Sequence, residues 1–68
     1  MDADHLRAAF IKRQLERVLK HRHTSWAARA THELARYIRW FADSIPEPEK
    51  ETIDEQLSKL EREISKRD

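Results

Sequence analysis

Cysteine and glycine are both absent from the chain, and proline occurs only at Pro46 and Pro48. Without cysteine there is no disulfide framework and no thiolate metal site. Without glycine the phosphate-cradling loops of the P-loop and Rossmann kinds are excluded, because both need a backbone bare of Cβ to approach the phosphate. Turns that call for a positive φ must use another residue or be avoided. No apolar run approaches the roughly 20 residues of a membrane span. The opening MDADHLRAAF starts acidic and has no long apolar core, which is unlike a secretory signal. A soluble, intracellular protein of the cytoplasm is the expectation. At 68 residues the chain is one domain at most, and a domain so small buries only a modest fraction of its surface.

What the chain does have is charge and helical periodicity. Charged residues make up 40% of it, which suits exposed helix faces. Three helices are predicted, over about 3–21, 26–44 and 48–66. In the first, Ala8, Ile11, Leu15, Val18 and Leu19 gather on one side, while Leu6 and Phe10 point toward a second surface. HRHTS interrupts the pattern, and Thr24 or Ser25 is the expected N-cap of the second helix. Pro46 ends that helix, because the residue before a proline is pushed out of the helical region. Pro48 suits the first turn of the third helix, where a missing N–H costs nothing, and Glu47, Glu49 and Glu51 complement its dipole. Ile53, Leu57, Leu60 and Ile64, spaced four, three and four, form the narrow seam of a helix lying along a neighbour. The fold class expected is all-α, a three-helix bundle running up-down-up as a single domain over 1–68.

Charge changes along the chain. Residues 1–24 carry six Lys/Arg against three Asp/Glu, residues 25–45 three against two, and residues 46–68 five against eight. The segment charges are therefore +3, +1 and −3, and they place the basic first helix beside the acidic third. Exposed pairs contribute only about 0–1 kcal/mol each, so the pattern reads as orientation rather than stability.

Chemistry finds little purchase. His5, His21, His23 and His32 include no i, i+4 pair of the kind that holds zinc on a helix. His21 and His23 do not share a helical face, and His21 suits a helix C-terminus. Ser25, Ser44, Ser58 and Ser65 fit caps and solvent faces better than a nucleophilic triad, and Glu33 and Asp43 make no evident acid–base pair. No catalytic, metal or cofactor site is expected, and the protein reads as no enzyme. Arg7, Lys12, Arg13, Arg17, Lys20 and Arg22, with Arg29, Arg36 and Arg39, could meet phosphates, yet the net charge of only +1 argues against nucleic acid.

The second helix carries more apolar surface than one neighbour needs. Leu34, Ile38, Phe41 and Ile45 form one stripe, Trp26, Ala30, Tyr37 and Trp40 flank it on one side, and Ala27, Thr31, Ala35 and Ala42 on the other. A central helix gripped by both neighbours, with Trp40 under the stem of Arg36, accounts for this without any partner. The order of residues supports a sharper reading. In LARYIRWFADSI, Leu34, Ile38, Phe41 and Ile45 recur at helical spacing, Arg39 follows the second of them, and Ala42-Asp43 supplies a small residue and an acid. This stretch resembles the death motif, the third homology region of the Bcl family of apoptosis regulators. The resemblance implies that Leu34, Ile38, Phe41 and Ile45 are anchors for pockets of a partner groove. It also implies close approach at Ala42 and an ion pair from Asp43 to a groove arginine. Such helix-in-groove recognition reads anchors at helical spacing. EKETIDEQLSKLEREISKRD has the look of an idealised supporting helix, as in a designed scaffold displaying such a motif.

The function expected is therefore a non-enzymatic helical binding module. Its partner-binding residues would be Leu34, Ile38, Arg39, Trp40, Phe41, Ala42, Asp43 and Ile45. The rival expectation is a self-associating helical bundle, a homodimer or larger, driven by the apolar surplus of the second helix with Leu6 and Phe10. A small nucleic-acid-binding regulator stands third.

Overall fold

The computed structural model describes residues 3–66. Asp2, Arg67 and Asp68, which enter the segment charges above, lie outside the described residues, as do the first two positions of the opening segment. The chain forms α1 (Ala3–Lys20), α2 (Ala27–Trp40) and α3 (Glu47–Ser65), with a short 3₁₀ turn, Ala42–Ser44, between the last two. The architecture is the expected all-α three-helix bundle, each helix touching both others.

Side-chain pairs set the helix directions. Arg7 lies against Phe41, Phe10 against Tyr37 and Arg17 against Trp26, so α2 runs antiparallel to α1. Lys12 pairs with Glu49 and Arg22 with Glu63, so numbering ascends together and α3 runs parallel to α1. The opposed charges of the first and third helices do meet.

The core is built mainly on α1. Ala8, Ile11, Leu15 and Val18 are buried along one face, facing Ala27 and Ile38 of α2 and Ile53 and Leu60 of α3. Ile45 joins them from the connection. Leu19, Leu34, Leu57 and Ile64 pack at the margin of this core, half-buried. Thr31 is buried too, and its hydroxyl donates to the Ala27 carbonyl at 2.8 Å, which satisfies it within its own helix.

Both ends of α2 differ from expectation. At the start, Trp26 occupies the cap position in a helical conformation and makes no side-chain capping bond. The Thr24 hydroxyl instead donates backwards to the His21 carbonyl at 2.7 Å and closes the turn that leaves α1. Among the described residues no backbone φ is positive, so the glycine-free chain turns without entering the left-handed region. At the other end the α-helix stops at Trp40, not at Ser44. Phe41 leaves helical geometry at φ −103°, ψ 17°, the next three residues tighten into the 3₁₀ turn, and Ile45 is extended at φ −87°, ψ 125°. Pro46 imposes that extended ψ on Ile45, and the tightened turn swings Ile45 back into the core. Pro46 then caps α3, accepting from the Lys50 N–H at 2.8 Å, and Pro48 sits in the first turn as expected.

Candidate binding face

The most distinctive surface of the molecule is aromatic and lies over α1 and α2. Tyr37 is its centre. Its ring meets Phe10 of α1 edge-on at 6.5 Å and lies 4.6 Å from Phe41. Separations of about 4.5–7 Å are those at which rings attract beyond simple burial. The helical periods explain the convergence: Phe10 flanks the buried stripe of α1 on the side of α2, and Tyr37 flanks that of α2 on the side of α1. Phe10 and Leu6 remain half-exposed, and Trp40, one turn beyond Tyr37, is 83% exposed. At the far end Trp26 is 42% exposed and its ring lies 5.8 Å from that of His21.

Cations border these rings. The Arg7 guanidinium stands 4.4 Å above the Phe41 ring and also reaches Asp4 at 3.4 Å. Arg17 stands 5.9 Å from the Trp26 ring. A guanidinium within about 6 Å of a ring face is attracted by its quadrupole. Between Phe10, Arg17, Trp26, Glu33 and Tyr37 runs a shallow groove of about 380 Å³. It continues into a second depression of about 470 Å³ between Glu33, Arg36, Tyr37, Trp40 and Phe41. Glu33 is the acid lining both, and it pairs with Arg29 at 3.5 Å.

The eight expected partner-binding residues do not share one surface. Ile38 and Ile45 are each only 5% exposed and belong to the core. Leu34 is half-buried, touching the core on one side and the α1–α2 groove on the other. Phe41 is half-buried beneath Arg7, and Trp40 stands out in solvent, uncovered by Arg36. Arg39 and Ala42 line a different groove, between α2 and α3, with Ala35, Lys50, Asp54 and Glu61. Asp43 is exposed within the 3₁₀ turn. Leu34, Ile38, Phe41 and Ile45 thus run over a helix, a break and an extended residue rather than one continuous helix.

Sequence reasoning noticed Leu6, Phe10, Trp26 and Tyr37 as surplus but did not join them into one face. Nor did it single out Arg7 and Arg17 as ring partners. A signal was present, since Arg7 and Arg17 sit at helical spacing from Phe10 on the same flank of α1. The histidines remain dispersed, and among the described residues no three His, Asp or Glu side chains form a metal-holding cluster. No helix is long and apolar enough to cross a membrane among those residues. Comparison with protein-family models, with curated proteins and with solved structures finds no match to the chain.

Proposed function

We propose that this protein is a non-enzymatic helical binding module that engages a protein partner through the aromatic face of α1 and α2. The observation that carries the reading is Trp40. A tryptophan 83% exposed beside Tyr37 and Phe41, with Phe10 half-exposed against Tyr37, contributes nothing to the core. Contiguous apolar surface of this kind marks contact sites, and Trp, Tyr and Arg are the residues that dominate binding energy at them.

Insertion into a Bcl-type groove is the finer form of this reading. It would require Ile38 and Ile45 to leave the core and the helix to extend across Ala42–Ser44. The aromatic face needs neither change, which supports it as the contact surface. Self-association has support from the same exposed rings. A two-fold symmetric contact, however, sets the same patch of both copies face to face, and here that patch is net positive, with Arg7, Arg17 and Arg36 outnumbering Glu33. A different partner is favoured on that ground.

Panning a random peptide library on the immobilised protein tests the module. Selected peptides should bind wild type and lose at least about tenfold in affinity to Trp40→Glu and to Phe10→Glu. Peptides that bind both variants as tightly as wild type would place the contact elsewhere.

A further inference from the structure

The protein already contains one worked case of how its basic first helix receives another helix. On one flank of α1, α3 lays down an apolar seam in which Ile53 and Leu60 are fully buried. Carboxylates toward either end of that seam reach cations of α1 and of the turn that follows it: Glu49 on Lys12, and Glu63 on Arg22 at 3.8 Å. An acidic amphipathic helix is thus held by apolar residues below and ion pairs at the margin.

The opposite flank of α1, together with α2, repeats those elements without an occupant. Phe10, Trp26 and Tyr37 form an apolar floor, and Arg17 and Arg36 stand at its margins. Neither arginine makes an ion pair among the described residues. Arg17 instead stands over a ring, where its guanidinium edge is still able to receive a carboxylate. From Trp26 to Trp40 the floor follows the whole of α2, 14 residues. That is roughly 21 Å at the 1.5 Å rise of a helix, room for about four turns of a partner helix.

Resting on the reading of this face as a protein-binding surface, we propose that its occupant is an acidic amphipathic helix of a partner protein, laid in the α1–α2 groove as a fourth helix. Charge complementarity selects the acid: the groove margins are arginine, and like charge opposite them would be repelled. The same complementarity disfavours a second copy of this chain as occupant. Its acidic helix, α3, has its apolar seam committed to its own core and offers outward Glu51, Asp54, Glu55, Lys59 and Arg62. Glu33 separates a helix from the other anionic candidates. It lines both depressions at the middle of the face with a 65% exposed side chain. A bilayer of anionic lipid or a run of phosphates would meet that carboxylate as a repulsive group, whereas a partner helix can place a lysine or a gap opposite it.

Both tryptophans of the chain, Trp26 and Trp40, lie on this face, so intrinsic fluorescence reports its occupation directly. The full chain is titrated with two synthetic amphipathic peptides of about four turns. They share leucine anchors and carry either glutamate or lysine at the flanking positions. Anionic vesicles of phosphatidylglycerol and phosphatidylcholine, and a single-stranded oligonucleotide, form two further arms. The glutamate peptide should bind at least about tenfold more tightly than the lysine peptide at low salt, with the gap closing at high salt. It should gain helicity on binding. Trp40→Ala should weaken it by about tenfold or more, and Arg17→Glu with Arg36→Glu should reverse the preference between peptides. All three positions are surface-exposed, so the variants keep the core, which circular dichroism checks. Equal binding of both peptides, lost in Trp40→Ala, would overturn the acidic helix while leaving the protein-binding face in place. No response to the glutamate peptide at tens of micromolar would overturn it outright. So would a response confined to vesicles or the oligonucleotide.

Discussion

Leu57 and Leu60 stand one turn apart on α3, and their burial divides them. Leu60 is 1% exposed, while Leu57 packs only at the margin of the core. Truncating a fully buried leucine costs its transfer free energy and leaves a cavity, together about 2–5 kcal/mol. Leu60→Ala should therefore lower the unfolding free energy by that amount in urea titration, and Leu57→Ala by clearly less. Equal losses would mean that the seam is uniformly buried. Gln56, on the side of α3 that faces α1, has a buried side-chain oxygen without a hydrogen-bond partner. Leaving such an acceptor dry costs about 1–3 kcal/mol. Gln56→Met, which keeps length and removes the amide, should raise stability by about 1 kcal/mol, read from the midpoint of the same titration. Trp40 lies at the other extreme. Its replacement by serine should change stability by no more than about 0.5 kcal/mol, the level of surface substitutions, although it removes the most exposed ring of the proposed contact.

The second helix is too short to stand alone. Isolated helices below about 12–15 residues are marginal in water even with favourable composition, and α2 spans 14. It also lacks a side-chain cap and any acid in its first turn. A peptide of residues 27–45 should accordingly show little helical signal in aqueous buffer by circular dichroism. The third helix matters in the same way, because Ile53 and Leu60 close the open side of the α1 stripe. A chain ending at Pro46 would leave Ile11 and Leu15 facing water and should lose its cooperative thermal transition. A sharp transition in that fragment would show α1 and α2 to be a folding unit without α3.

The whole molecule is a short rod, 38 × 17 × 16 Å, with a radius of gyration of 11.8 Å. Its charge is polarised across the thin dimension. Arg7, Arg17, Arg29 and Arg36 attend the aromatic face against Glu33, and α3 carries Glu51, Asp54 and Glu55, with Lys59 and Arg62, on its outer side. Two copies meeting ring to ring would bring arginines together, and salt relieves that repulsion because the Debye length shrinks to about 3 Å at 1 M. Sedimentation at micromolar concentration should thus find the protein least associated at low salt, with any self-association growing as salt is added. Association strongest at low salt would instead point to contacts between the basic face of one copy and the acidic face of another.

Periodicity alone was enough to make the fold legible. The stripes of Ile11, Leu15 and Val18, of Leu34, Ile38, Phe41 and Ile45, and of Ile53, Leu57 and Leu60 each follow the 3.6-residue repeat. A bundle is the way three such helices hide them. Pro46 and Pro48 marked the boundary before α3, since proline acts on its neighbours through local sterics that need no partner. The charge asymmetry likewise foretold the pairing of α1 with α3. Which side of α2 faces inward was not legible, because its apolar and small residues occupy most of its circumference and several rotations would bury a comparable stripe. Nor was the fate of the stretch resembling the death motif. Its spacing assumes one helix, but Ile45 precedes a proline and is drawn into the core, a choice made by tertiary packing rather than local preference. The aromatic face is likewise a tertiary product. Phe10 and Tyr37 are 27 positions apart, and only the antiparallel register of α1 and α2 sets ring against ring, with Trp40 left outside.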